Sequence, residues 1–312
     1  MNIFLHVGYP KCASTSLETF FFPKVKGFYY MGRRYGENAF STLELENALE
    51  KIYSQDSTDF SFKSVETVLK DDIAKSGKNK NVILSLEAFT SNVVDRGLIA
   101  TRLKSIFPDA KILIIVREQV DSLLSMYSYL VAEKGRSVNL SYGRPSVRDF
   151  DTWIEEQEIY PYRSYIGTLK YSNIIQYYQD IFGESNVTVL MYEELLNTPE
   201  VFAKKISNYL EIEYDSKFLE LVLKRTNISP RGLRLYFYKI KNTAVYNFFG
   251  LKYVPIGRIA RLFKFSKITT KKKRNIDISK ESLQKIKNIY RKDNLKLESI
   301  LKINLSKYGY SK

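Results

Sequence analysis

IFLHVGYPKCASTSLE, residues 3–18, passes from an apolar run into a turn holding Gly8 and Pro10, then a lysine, then Ser14, Thr15 and Ser16. The order reads as strand, tight turn, helix start. A helix that opens on small hydroxyl residues leaves its first amides without acceptors, and a cation beside them completes an anion site. A phosphate-sized group directly after the first strand is the expectation.

Two familiar phosphate loops fit poorly. A nucleoside triphosphatase loop wants G-x-x-x-x-G-K-[ST], with the lysine next to the hydroxyl that holds magnesium; here Lys11 precedes the hydroxyl cluster and no second glycine follows. A cysteine-dependent phosphatase would need an arginine shortly after Cys12, and the stretch ends in Glu18. A thiol also needs a lowered pKa to be a nucleophile, and only Lys11 is near to lower it. Cys12 reads as a small loop residue.

Working outward, strand and helix signals alternate, which favours an α/β fold with a mainly parallel sheet. Strands are expected at 3–7, 81–86, 111–116 and 186–191, and KILIIV at 111–116 has the unbroken apolar character of a strand buried on both faces. Helices are expected at 14–22, 42–53, 98–107, 120–133, 147–158, 168–182, 199–210 and 279–305, with Ser279 as N-cap of the last and its capping box left open by Ser282. Polar excursions fall at 32–37, 75–80 and 135–145. With 312 residues, 44% of them hydrophobic, the chain has enough material for one large core.

Composition narrows the chemistry. One cysteine and one histidine, His6, put disulfides and the usual zinc ligand sets out of reach. No apolar run approaches the roughly 18 residues of a membrane span, and Ile3–Val7 is too short for a signal peptide. The net charge of +15 is concentrated: residues 231–312 hold 22 Lys and Arg against 4 Asp and Glu, whereas residues 1–230 hold 27 against 30. A basic segment of this kind, interleaved with Tyr and Phe, suits an anionic partner or is simply a solvated surface.

PKCASTSLE resembles the 5′-phosphosulfate loop of the sulfotransferase family, commonly Pro-Lys-x-Gly-Thr-Thr-x-Leu after the first strand. Pro10, Lys11, Thr15 and Leu17 keep the pattern, Ser14 replaces a threonine, and Ala13 stands where glycine is usual. KILIIVREQVDSLLSMYSYL is similar to the family's 3′-phosphate motif: a strand ending in Arg117, Ser125 eight residues on and Tyr127 two beyond it, with Gln119 in place of a common proline and Ser122 in place of a common arginine. A strand-end guanidinium and a hydroxyl about two helical turns later can converge on one phosphate. MYEELL, with Glu193 and Leu195, is similar to a Tyr-Glu-x-Leu segment late in the same core. The resemblance covers about residues 1–230.

It implies a single three-layer α/β domain over 1–312, with a P-loop-like nucleotide-binding core at 1–230 and a basic, aromatic subregion at 231–312. The implied donor is 3′-phosphoadenosine 5′-phosphosulfate (PAPS), used without a metal. Pro10, Lys11, Cys12, Ala13, Ser14, Thr15 and Ser16 would hold the 5′ side, Arg117 and Ser125 the 3′-phosphate, and Arg231 in NISPRG the returning edge of the site. Lys11 would stabilise charge on the bridging oxygen as the S–O bond breaks. Glu87, at the end of NVILSLEAF, occupies the place of the catalytic glutamate of glycan sulfotransferases; His6 is the other candidate base.

The expectation is sulfuryl transfer to a hydroxyl of a polysaccharide, oligosaccharide or glycolipid, anionic acceptors included. A small-molecule or lipid acceptor is the alternative. A nucleotide-kinase-like phosphotransferase would need G-K-[ST] and magnesium carboxylates; a nucleic-acid- or membrane-binding protein without catalysis would rest on the basic segment alone. The reading places the protein in a bacterial cytoplasm, with peripheral contact at the inner face of an anionic membrane through residues 231–312 and no nucleic-acid partner.

Overall fold

The computed structural model describes residues 1–33, 42–75, 77, 80–91, 95–133, 149–159, 164–224 and 276–312. Five strands, β1 (Ile3–His6), β2 (Phe28–Tyr30), β3 (Asn81–Ser85), β4 (Lys111–Val116) and β5 (Val187–Met191), form one sheet in the order β2-β3-β1-β4-β5. Every pairing is parallel. The chain lays β1 at the centre, goes to the edge at β2 and returns through β3 beside β1, then crosses to the other side through β4 and β5. In such sheets the crevice outside the carboxyl ends of the central strands, where the direction of building reverses, is where ligands bind.

Helices flank the sheet, giving the expected α/β architecture. They are α1 (Ser14–Ser16), α2 (Leu43–Ser54), α3 (Phe62–Lys75), α4 (Ala88–Ser91), α5 (Arg96–Ile106), α6 (Gln119–Glu133), α7 (Phe150–Ile159), α8 (Tyr165–Thr168), α9 (Ser172–Phe182), α10 (Tyr192–Asn197), α11 (Pro199–Tyr209), α12 (Ser216–Leu223) and α13 (Lys280–Leu301). The covering explains the strands' composition: all of Phe4–His6 and Ile112–Val116 are buried, as parallel strands packed on both faces require. Caps set several helix starts. Asp95 accepts from the amides of Gly97 and Leu98, and Ser279 accepts from Ser282 N at 3.0 Å. Buried Arg102 on α5 donates to the carbonyls of Ile52 and Gln55, filling the orphan acceptors at the end of α2.

Three expectations change. The expected helix at 14–22 is one α-turn, then a π-helical stretch at Leu17–Phe21 and a 3-10 turn at Phe22–Lys24, where Pro23 has no amide to continue an α-ladder. The expected helix at 168–182 begins only at Ser172, as α9, and Thr168 instead ends the separate turn α8. Strand β2 and helices α3, α4, α10 and α12 fall where the sequence carries no expectation. The 135–145 excursion and Arg231 lie outside the described residues.

Helix α13 is an integral part of the core. Ile286, Tyr290 and Leu297, with Leu305 and Tyr310 beyond its end, are buried in the same cluster as β1 and β4. Fully burying a large aliphatic side chain contributes about 1.5–3 kcal/mol, so α13 is held far more firmly than its exposed lysines would suggest. Asp293 caps α9, accepting from the Tyr171 amide at 2.8 Å and from the Ser172 hydroxyl at 2.5 Å.

Candidate active site

The three sequence features singled out as functional follow three adjacent strands. The Gly8–Ser16 loop leaves β1, Glu87 follows β3 and Arg117 follows β4, with β1 between the other two. Arg33 follows β2 and Glu193 follows β5, so each of the five strands delivers a charged side chain just past its carboxyl end.

The loop is built on two left-handed residues, Lys11 at φ 65° and Ala13 at φ 69°. A left-handed residue with a β-carbon costs roughly 1–2 kcal/mol, so the alanine standing in for glycine adopts glycine's conformation under strain. Ala13 O then accepts from the amides of Ser16 and Leu17, both at 3.0 Å, and the helix start leaves the Ser14 and Thr15 amides without intrahelical acceptors. Arg117, only 4% exposed, pins the loop from β4: its Nη1 donates to Lys11 O at 3.0 Å. The two motifs, 106 residues apart in sequence, are thus bonded directly.

Arg117 is itself held on several sides. Its guanidinium lies 4.5 Å from the centre of the Tyr192 ring, Nη2 is 3.7 Å from the Asp121 carboxylate, and Tyr171 donates to its carbonyl at 2.8 Å. Its buried Nε has no hydrogen-bond partner, a donor of the kind an incoming phosphate would satisfy. The Lys11 ammonium lies 4.1 Å from the centre of the Tyr129 ring on α6. Tyr129 carries no signal in the sequence, because aromatic residues on helices are usually core, whereas Tyr192 is the tyrosine of the Tyr-Glu-x-Leu segment.

Ser14 departs from the expectation for it. Its hydroxyl donates to Oε2 of Glu87 at 3.1 Å, so at the loop it offers its amide. The Thr15 and Ser16 side chains are half-buried beside it. Cys12 is sealed, with its thiol 3.6 Å from Pro10 O and burial pushing its pKa up, so only its backbone is available to a ligand. Ser125 is buried on α6, whereas Tyr127 turns into the core against Phe150 and Trp153.

The two candidate bases differ sharply. Glu87 is half-buried, and burial raises its carboxyl above the usual range against the opposing pull of the Ser14 hydrogen bond, Lys11 and Arg33. His6 is 1% exposed beneath the loop. Ser85 donates to Glu18 at 2.8 Å and so accepts from His6 Nδ1 at 2.7 Å, which fixes the tautomer and leaves Nε2 facing Gly8 without a partner. Burial lowers the imidazole pKa to about 3, so His6 stays neutral and cannot reach an acceptor.

Glu193 closes the far side. Its Oε1 accepts from the Glu118 amide at 2.8 Å, fixing the backbone next to Arg117, while Oε2 is buried without a partner. Burial pushes its pKa up to about 7, in spite of that hydrogen bond and the nearby Arg117 charge. Among the described residues no cluster of three or more His, Cys, Asp or Glu side chains is placed to hold a metal ion, and no helix is long and apolar enough to cross a membrane.

A family described as the sulfotransferase family matches residues 9–216, two thirds of the chain, spanning the loop, Glu87, Arg117 and Glu193. The chain belongs to the sulfotransferase family. This sulfotransferase is similar in fold to the crystal structure of a sulfotransferase from Alicyclobacillus acidocaldarius, at 15% identity over 99% of both chains with a TM-score of 0.59. It also aligns with mouse sulfotransferase SULT7A1 complexed with PAP, at 13% identity over 97% of this chain and 89% of that one, TM-score 0.47. No curated protein matches at the level of sequence. The sulfotransferase is accordingly a transferase, and its amides, hydroxyls, lysine and buried arginine form a donor set chemically suited to phosphate and sulfate groups.

Proposed function

We propose that this sulfotransferase moves a sulfuryl group from PAPS to a hydroxyl of a carbohydrate: a polysaccharide, an oligosaccharide or a glycolipid. The observation that carries the reading is Glu87, a half-buried carboxylate one strand away from the anion loop, beside a histidine that is sealed off and cannot serve as base. The Ser14 and Thr15 amides and the Thr15 and Ser16 hydroxyls face the 5′ side of the donor. Arg117, with Ser125, faces the 3′-phosphate. Lys11 supplies a cation where negative charge grows on the bridging oxygen, the kind of fixed electrostatic aid that contributes most to transfer reactions.

Glu87 takes the proton of the attacking hydroxyl. A carboxylate raised by burial is a better base than a solvated one while the neighbouring cations keep it ionised. Adjacent Tyr and Lys side chains in residues 231–312 suit sugar faces and anionic groups, and the same segment suits contact with an anionic membrane from a bacterial cytoplasm.

The test is transfer from 35S-labelled PAPS to a panel of glycans, glycolipids, phenols and steroids. Labelled glycan or glycolipid, lost by about 10²–10⁴-fold in Glu87→Gln with product-nucleotide binding intact, supports the proposal. Label only on phenols or steroids, or full turnover by Glu87→Gln, overturns it.

A further inference from the structure

Ser14 and Glu87 lie 73 residues apart, and the contact between them exists because β3 runs alongside β1. Ser14 is the first residue of α1, set by the left-handed Ala13 before it, and is 3% exposed. A hydroxyl has one proton to donate, and this one goes to a carboxylate oxygen, where it stabilises the anion and fixes its direction.

We propose that Ser14 is a positioning residue for Glu87, its hydroxyl orienting the carboxylate and keeping it in the proton-accepting form until the acceptor arrives. The catalytic meaning of this contact rests on the reading of Glu87 as the base. The other groups facing the carboxylate are Lys11 from the loop, Arg33 after β2, the Cys12 thiol and the Tyr165 hydroxyl of α8. Burial keeps the thiol and the phenol neutral, so Lys11 and Arg33 are the charges. Of the influences that oppose burial at Glu87, the Ser14 hydrogen bond is the largest, ahead of either cation. One residue therefore belongs both to the anion loop, through its amide, and to the base, through its hydroxyl.

The experiment is a pH titration of the full chain, free of nucleotide and labelled with 13C at glutamate carboxyls, reading the resonance that disappears in Glu87→Gln. Ser14→Ala raises the midpoint of that resonance, and Ser14→Thr, which keeps a hydroxyl, returns it towards the wild-type value. Should Ser14→Ala fold poorly, Ser14→Cys keeps the volume with a much weaker donor and gives the same upward displacement. An unmoved midpoint in a folded variant overturns the inference. In turnover, Ser14→Ala lowers kcat/KM about three- to tenfold on the acid side and recovers at higher pH; an equal loss at every pH would instead assign Ser14 to donor binding alone. Full activity of Glu87→Gln would defeat the base reading, while the titration would still decide whether Ser14 governs the carboxylate.

Discussion

Gln119 and Asn294 face each other in the buried seam between α6 and α13 and exchange two hydrogen bonds, Gln119 Nε2 to Asn294 Oδ1 at 2.6 Å and Asn294 Nδ2 to Gln119 Oε1 at 3.3 Å. Asn294 also donates to Ser311 O at 2.8 Å. Gln119 stands where the 3′-phosphate motif commonly has proline, and a proline there could offer no such amide. The departure from the motif is what ties the helix after Arg117 to α13.

Asn294→Leu is expected to cost about 1–3 kcal/mol, because it strands the buried Gln119 amide. Gln119→Leu with Asn294→Leu should cost less than the two single changes together. Urea unfolding measures this, and strictly additive losses would show that the pair does not act as a unit.

Arg117→Ala is expected to weaken binding of 3′-phosphoadenosine 5′-phosphate by about 30-fold or more, since it removes a charged donor and frees the Lys11 peptide. Arg117→Lys falls between, keeping charge without the planar fork. Calorimetry with and without magnesium checks both, and an unchanged affinity in Arg117→Ala would remove Arg117 from the donor site.

The raised Glu193 pKa makes stability depend on pH. With a folded value of about 7 against an unfolded one near the ordinary 4.5, the folded protein binds the extra proton between them. The associated stability is present below about pH 4.5 and is lost as pH rises through 7, on the order of 3 kcal/mol. Glu193→Gln should remove that part of the slope while still accepting the Glu118 amide. Denaturation midpoints from pH 5 to 8 test it, and parallel curves for the two proteins would contradict it.

Gly8→Ala should destabilise by about 1–3 kcal/mol, since its β-carbon would lie 2.3 Å from His6 Nε2 and Ser85 holds that imidazole in place. In a His6→Ala background the same change should cost little. Thermal unfolding of the four proteins decides it, and equal losses in both backgrounds would mean that the imidazole is not the obstacle.

The sequence made β1, β3, β4 and β5 legible through short apolar-rich runs, unbroken at 112–116, and the loop through its turn residues, lysine and hydroxyl cluster. Strand β2, three residues after a Phe- and Pro-rich turn, shows neither alternation nor length. The split of the helix after Ala13 follows from Pro23, which interrupts the helical spacing before it. Lys11, Glu87 and Arg117 were legible through the resemblance to the sulfotransferase motifs, and each follows a strand. Their partners were not: Ser14 with Glu87, Lys11 with Tyr129 and Arg117 with Tyr192 are set by which strands and helices lie side by side, and no local spacing encodes that.

The capping of α9 by Asp293 has a bearing on synthesis. Asp293 holds the Tyr171 amide, and the Tyr171 hydroxyl holds the carbonyl of Arg117. A nascent chain presents its anion loop first and its strand-end arginine a hundred residues later, yet the clamp on that arginine emerges only with α13. Until then the ribosome-bound chain holds Tyr171 without the carboxylate that fixes its amide, so the packing around Arg117 is completed only once α13 has been made.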